Sequence, residues 1–191
     1  MKKRVVLKKQ FREAWNYLGE CKIHILFILL LFLFSAFFGF IYMDKLTFLD
    51  ELLKDIIYQT SDLNMLEMIF FILQNNVQSA FFGMIFGVFF GIFSLINSLL
   101  NGVVIGYVLA KIYPLTGFSE FWRLLPHGIF ELPAIFISLG AGLRLGGILF
   151  SGDVKKQFKI RIYNSLNLFL MIILPLLIVA AIIEGILVFL I

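Results

Sequence analysis

A histidine and a glutamate stand one helical turn apart inside a hydrophobic stretch of the sequence. His127 and Glu131 lie between Pro126 and Pro133, and an apolar run continues from there to Leu143. Residues four apart on a helix share one face. A charged side chain at membrane depth costs about 2.5–3.5 kcal/mol on insertion scales. We therefore expect this face to point into the protein interior or a wet cavity rather than into lipid.

Three interpretations of this pair stay open. In the first, Glu131 orients the imidazole of His127, and the pair fastens the protein internally. In the second, both are ligands of a divalent cation such as Zn²⁺, for which imidazole and carboxylate are suitable donors. Glu184, on the last apolar run, would then be a third ligand. In the third, the pair moves protons or ions along a pathway, as His and Glu do in pumps and transporters.

Amide side chains extend the candidate site. The predicted functional polar cluster consists of His127, Glu131, Glu184, Asn76, Gln78 and Asn101. A buried amide needs hydrogen-bond partners, so we expect some of these amides to bond to His127 or Glu131 across helices. Interfacial capping near the ends of the spans is the simpler expectation for Asn75, Asn97 and Asn101.

Composition sets the class of protein. The chain has 191 residues, of which 61% are hydrophobic, and its mean hydropathy is +1.01, whereas soluble domains are about 45–50% apolar. This composition predicts an integral membrane protein with no room for a separate catalytic domain. The net charge of +4 does not indicate nucleic acid, because the basic residues stand at the membrane edges. Cys21 is the only cysteine, which excludes an intrachain disulfide.

No catalytic residue is predicted. The sequence has no HExxH, no GxSxG and no paired intramembrane aspartates, the patterns that would indicate a metalloprotease, a serine hydrolase or an intramembrane protease. We therefore expect the chain not to be an enzyme.

The apolar runs predict an all-α, polytopic membrane protein that forms a single integral membrane domain over residues 1–191. Five transmembrane helices are expected, at about 23–43, 76–95, 100–113, 125–149 and 166–191. The region 77–113 is too long for one helix of ordinary tilt, and a polar, turn-like cluster around Asn97 and Asn101 divides it. A re-entrant hairpin is the alternative structure for this region. Pro133 predicts a kink or a broken helix in the fourth span.

Charge predicts the orientation. The segment 1–22 carries seven Lys and Arg residues and the segment 151–165 carries four, whereas the loop 44–74 is acidic. Five spans place both basic segments on one side, so the positive-inside rule predicts a cytoplasmic N-terminus and a C-terminus outside. We expect the cytoplasmic segment 1–22 to contain a basic amphipathic helix at 5–20, lying on the inner leaflet or packed on the rest of the protein. The external loop should contain an amphipathic helix at 47–59, lying on the surface or packed on the protein.

Glycines recur at a spacing of four residues along the predicted spans. Such faces let helix backbones approach closely, either within one subunit or in a homodimer. The candidate packing and dimerisation residues are Gly83, Gly87, Gly91, Gly102, Gly106, Gly142 and Gly146. The run from Gly83 to Gly91 is the longest and is the candidate dimer face.

Three motifs carry a family resemblance. They are Asn101-Gly102-x-x-x-Gly106, Pro126-His127-Gly128-x-x-Glu131-Leu132, and Gly140-Ala141-Gly142-Leu143-x-Leu145-Gly146. Together they resemble the stage II sporulation protein M family of integral membrane proteins, and the segment 11–17 before the first span is also similar. In spore-forming bacteria the namesake is a non-enzymatic membrane anchor of a cell-wall-remodelling complex.

The resemblance implies a non-enzymatic membrane scaffold or anchor in the cell membrane, or a transport role. The expected partners are the lipid bilayer, a second copy of the chain and other membrane or envelope proteins. The residues alone leave two alternatives open. One is a small cation or proton transporter or channel, and the other is a divalent-metal-binding membrane protein. Both alternatives use His127, Glu131 and Glu184.

Overall fold

Helices make up nearly all of the described chain, because backbone groups without access to water must be satisfied by hydrogen bonds within the helix. The structure is a computed structural model that describes the backbone of residues 2–116 and 121–190 and the side chains of 6–114 and 128–190. Its helices are α1 (Lys2–Ile41), α2 (Leu49–Thr60), α3 (Met65–Ile85), α4 (Ile92–Thr116), α5 (Phe121–Gly146), α6 (Val154–Leu168) and α7 (Leu174–Leu190).

Among the described residues, five helices are long and apolar enough to cross a membrane. They are Val6–Ile41, Met65–Val88, Ile92–Pro114, Gly128–Phe150 and Val154–Leu190. No strand occurs among the residues with a described backbone. The prediction of an all-α polytopic protein with about five spans is confirmed, although the boundaries differ from those expected.

The N-terminal segment is part of the first span and does not form a separate helix on the inner leaflet. α1 runs without a break for 40 residues, about 60 Å at 1.5 Å per residue. The Tyr17 hydroxyl lies 3.1 Å from the Ser165 hydroxyl, and the Asn167 amide donates to the carbonyl of Gln10 over 2.8 Å. Of the two expected arrangements of this segment, packing on the protein is therefore the one observed, because these hydrogen bonds, made by buried side chains, hold the segment against α6.

α3 begins at Met65, well before the predicted boundary at 76. Asn64 caps its first turn by accepting from the backbone amides of Leu66 and Glu67, and the Glu67 carboxylate accepts from the Asn64 amide in return. This capping box satisfies donors that a helix start otherwise leaves free. The polar residues 74–76 lower the hydropathy of the segment, so the sequence placed the boundary too late and put these residues at an end of the span.

The turn between α3 and α4 lies at residues 86–91 and not at 95–100. Phe90 and Gly91 have φ values of 56° and 75°, respectively, the left-handed conformation that reverses a chain and favours glycine. Asn97 and Asn101 are therefore inside α4 and do not form a turn. The region thus contains two full-length helices, Met65–Val88 and Ile92–Pro114, as the predicted split requires. The position of the turn is corrected, and the re-entrant alternative does not hold.

The predicted break at Pro133 does not occur. α5 continues through Pro126 and Pro133 as one helix from Phe121 to Gly146. Proline removes one backbone donor and leaves the carbonyl four residues earlier without its usual partner. Bundled membrane helices tolerate this loss where neighbouring groups and local adjustment satisfy the backbone.

The last span begins at Val154 and not at 166, so the basic segment 151–165 is mostly helical. Asp153 caps α6 by accepting from the backbone amide of Lys156 over 3.1 Å. A wider π-helical turn at Phe169–Ile173 joins α6 to α7, two residues before Pro175. The wider turn accommodates the proline ring, which in a regular helix would clash with a carbonyl one turn earlier.

α5 is the central helix of the bundle. It contacts α1, α3, α4 and α7, and Leu139, Ala141 and Leu145 are fully buried. A polar side chain on α5 therefore meets other helices of the protein.

Candidate functional site

Three helices bring their polar side chains together around Glu131. Asn76 on α3 and Glu184 on α7 both lie close enough to the Glu131 carboxyl group on α5 to interact with it electrostatically. Asn76 is 8% exposed, and both glutamates are half-buried. Of the predicted cluster, the structure thus brings Asn76, Glu131 and Glu184 to one place.

Antiparallel packing explains why Glu131 and Glu184 meet although they are far apart in sequence. α5 and α7 run in opposite directions, so the beginning of one lies beside the end of the other. Glu131 is eight residues from the middle of the span Gly128–Phe150, about 12 Å along the helix. Gly185 packs directly on Ile69 of α3, which fixes α7 beside the helix that carries Asn76.

His127 lies one turn before Glu131 on α5, but its side chain is outside the described residues. The prediction of a Zn²⁺ site at His127, Glu131 and Glu184 therefore falls partly outside the described residues. Among the described side chains, no group of three or more His, Cys, Asp and Glu residues is placed to hold a metal ion.

Gln78 and Asn101 belong to a different polar group, which is a correction to the predicted cluster. Gln78 is two residues after Asn76, about 200° around the helix, and it faces a groove between α3 and α4. The Asn101 amide donates to the carbonyl and side-chain oxygen of Asn97 over 2.9 Å, and the Asn97 amide donates to the Ser79 hydroxyl over 3.1 Å. Asn97 and Asn101 hydrogen-bond within the α3–α4 hairpin, away from the glutamates.

The predicted glycine faces pack inside the chain. A Cβ at Gly87 would overlap the backbone of Gly142, and one at Gly146 would overlap the backbone at Gly91. Gly83, Gly102 and Gly106 also meet side chains or backbone of other helices. Packing within one subunit is thus how these seven glycines are used, and the face from Gly83 to Gly91 is not open to a second copy.

Serine hydroxyls provide further bonds between helices that the sequence analysis missed. Ser138 donates to the carbonyl of Ala80 over 2.7 Å, and Ser94 donates to the carbonyl of Gly83 over 2.8 Å. Small hydroxyl residues inside a span are a usual source of interhelical hydrogen bonds. Serine residues within the apolar runs were therefore the signal in the sequence that indicates these bonds between helices.

Arg144 forms a second polar site at the other end of α5. Its guanidinium bonds to the Glu20 carboxylate and donates to the Glu20 carbonyl over 2.6 Å. Arg161 donates to the carbonyl of Arg144 over 2.9 Å, and the Arg144 guanidinium lies over the Tyr17 ring. These contacts connect α1, α5 and α6 at the end that carries the basic residues.

The helix α2 is attached to the bundle through Asp50. The Tyr107 hydroxyl donates to the Asp50 carboxylate over 2.6 Å, and the Lys111 ammonium donates to it over 3.0 Å. The hydrogen bond from Tyr107, followed by that from Lys111, holds the pKa of Asp50 below its usual value. Leu49, the adjacent residue, is buried.

These features define a polytopic helical membrane protein in which buried amides, hydroxyls and carboxylates connect one span to another. The family model for stage II sporulation protein M matches residues 28–188, and the chain belongs to this family. The match includes the Glu131 cluster and the groove between α3 and α4. The comparison with curated proteins and the comparison with solved structures each return no match.

Proposed function

We propose that this protein is a non-enzymatic scaffold of the cell membrane that anchors other membrane or envelope proteins. The observation that carries the proposal is the attachment of α2. Leu49 and Asp50 hold its first turn to the bundle, while the rest of the helix presents exposed side chains. An element fixed at one end and exposed along its length is suited to bind a partner.

The exposed side chains of α2 are of two kinds. Glu51 and Asp55 form an acidic surface. Leu52, Ile56 and Tyr58 are 55%, 49% and 84% exposed, respectively. Apolar anchors beside charged groups are typical of the centre and rim of a protein interface. A partner with an apolar patch and basic residues would complement this helix.

The polar groups inside the bundle support the proposed scaffold role because they connect one helix to another. Ser138 bonds to Ala80 and Arg144 bonds to Glu20, while Asn76 lies beside Glu131. Each of these contacts joins two different spans, which favours the interpretation of Glu131 as part of a structural fastener. A scaffold needs such a rigid membrane body to hold its docking elements at fixed positions.

The proposed orientation is a cytoplasmic N-terminus and a C-terminus outside. Because the beginning of α1 packs on α6, the basic residues of both helices stand at one end of the bundle. Those with described side chains are Lys8, Lys9, Arg12, Lys22, Lys155, Lys156, Lys159 and Arg161. The positive-inside rule places this end in the cytoplasm and α2 on the external side.

Site-specific photo-cross-linking in living cells tests the scaffold. A photoreactive amino acid at Tyr58, on α2, should give a discrete product that joins the chain to another protein. The matched control is Phe34, which is 68% exposed on the apolar surface of α1 and should give no discrete product. Equal labelling at both positions, or none at Tyr58, would contradict the proposal.

A transport role has one observation in its favour, the meeting of Glu131 and Glu184 within the membrane region. Reconstitution into liposomes separates it from the scaffold. We expect proton and cation fluxes equal to those of protein-free liposomes, with no difference between the parent and Glu131→Gln. A flux that is present in the parent and lost in Glu131→Gln would establish transport instead.

A further inference from the structure

Three amide side chains are exposed at the middle of a membrane span. Gln74, Asn75 and Gln78 are exposed, and all three lie within three residues of the middle of Met65–Val88. The ends of a span reach water or headgroups, but its middle does not. On the isolated chain these amides would therefore face the hydrocarbon of the lipid.

An amide exposed to hydrocarbon is unfavourable. It loses its hydrogen bonds to water, and lipid tails offer no replacement. The bonds that join Asn101, Asn97 and Ser79 do not include the three exposed amides. A partner that supplies both donors and acceptors would remove this cost, since each amide has two donor hydrogens and an acceptor oxygen.

The shape of the surface also favours a partner. α3 and α4 separate on the side away from α5 and leave an open groove of about 360 Å³. Its polar lining is Asn75, Gln78, Ser79 and Asn97, and its phenylalanine lining is Phe82, Phe86 and Phe93. Phe82 and Phe86 stack with ring centroids 5.6 Å apart. The groove thus combines hydrogen-bonding groups with a large apolar contact surface.

We propose that this α3–α4 groove is the contact surface between two copies of the chain. The two copies are related by a two-fold axis, and α3 of one copy faces α3 of the other. A two-fold interface brings the same patch of each copy together. Amides are self-complementary, because the donor of one pairs with the acceptor of its symmetry mate. Hydrogen-bonded amides are also known to stabilise helix association in membranes.

The proposed dimer surface differs from the glycine face that the sequence predicted. The glycine face from Gly83 to Gly91 is occupied by α5 and other parts of the same chain, whereas the amide face is open. The proposed dimer does not rest on the scaffold role. A dimer without partners at Tyr58, or partners at Tyr58 without a dimer, would separate the two proposals.

Cysteine cross-linking in native membranes tests the groove directly. Cys21 is the only cysteine of the chain, so Cys21→Ala provides a cysteine-free background. In that background Phe82→Cys, one turn from Gln78, keeps all three amides in place. The matched control is Leu30→Cys on α1, which is 57% exposed, similar to the 48% of Phe82. Oxidation should convert the Phe82→Cys chain to a disulfide-linked dimer and leave the Leu30→Cys chain monomeric.

Two differently tagged copies in the same cell identify the cross-linked partner. We expect each tag to capture the other in the Phe82→Cys product. A product that joins Phe82→Cys to a different protein would overturn the proposal, and so would equal dimer formation at Leu30→Cys or a purely monomeric Phe82→Cys chain.

A variant without the amides tests their contribution. Gln74→Leu, Asn75→Leu and Gln78→Leu, combined in one chain, should raise the dimer dissociation constant in lipid by about tenfold or more. Thermal unfolding should show that the variant remains folded, since all three positions are exposed. An unchanged dissociation constant in a folded variant would overturn the role of the amides.

Discussion

The two faces of the α3–α4 hairpin are built from different residues and pack in different ways. On the face towards α5, Gly87 meets the backbone of Gly142, and Ser94 bonds to the carbonyl of Gly83. On the opposite face, the two helices separate and leave a groove lined by amides and phenylalanines. One pair of helices is therefore closed on one side and open on the other.

The difference shows how a membrane protein assigns its contacts without a hydrophobic driving force between helices. Small residues let backbones reach van der Waals contact, and that contact stabilises the fold of one chain. Larger amides keep helices apart and need polar partners, so they suit a contact made after the chain has folded. This distinction predicts opposite responses to substitution on the two faces.

The largest effect is expected on the glycine face. Gly87→Leu would place a side chain into the backbone of Gly142, and overpacking of this kind costs about 3 kcal/mol or more where backbone must move. We expect loss of folded protein, measured by unfolding in a denaturing detergent titration. The matched control is Gly19→Leu on α1, because a Cβ at Gly19 meets nothing within 4 Å. Equal destabilisation by both substitutions would refute the distinction.

A smaller loss is expected for a hydroxyl that connects α3 to α5. Ser138→Ala removes the 2.7 Å bond to the carbonyl of Ala80 and should lower the free energy of unfolding by about 1 kcal/mol. Ser61→Ala, at an exposed position beyond α2, should change it by less than about 0.5 kcal/mol. The same unfolding titration measures both, and an unchanged stability for Ser138→Ala would show that the bond is not needed.

The amide face should respond with the opposite sign. Gln78→Leu replaces an exposed amide by an apolar side chain, so in dilute micelles, where chains are separate, stability should stay the same or rise by up to about 1 kcal/mol. In lipid at high protein density, the same substitution should favour the monomer. If monomeric Gln78→Leu is strongly destabilised in dilute micelles, Gln78 stabilises the fold of the single chain and not the dimer.

The smallest effect is expected at Asp50, which attaches α2 to α4. Because its pKa is lowered in the folded protein, its contribution to stability is present above the ordinary pKa of 3.8 and is lost as the pH falls through the folded value. A pair of spin labels on α2 and α4 should report detachment of α2 at low pH. Asp50→Asn should give a distance that no longer varies over this range. If α2 detaches to the same extent in the parent protein and in Asp50→Asn, a titratable group other than Asp50 causes the detachment.

Hydrophobic length and charge predicted the class of fold, since both are properties of sequence segments. Five helices of sufficient length are present, and the antiparallel order that follows from five spans places Glu131 beside Glu184. The start of α3 was missed because its amides lower the local hydropathy. The turn was placed at Asn97 and Asn101 because amides are common in turns, although the backbone reverses at Phe90 and Gly91.

The sequence by itself determined that this is a helical membrane protein of the stage II sporulation protein M family, with polar groups that need partners inside the membrane. Only the tertiary structure decided which partners those are. It assigned Asn76 to Glu131, Arg144 to Glu20 and the glycines to packing within the chain, and it left Gln78 on an open face. The physical reason is that hydropathy depends on residue type along the chain, whereas contact depends on how each helix is rotated against its neighbours.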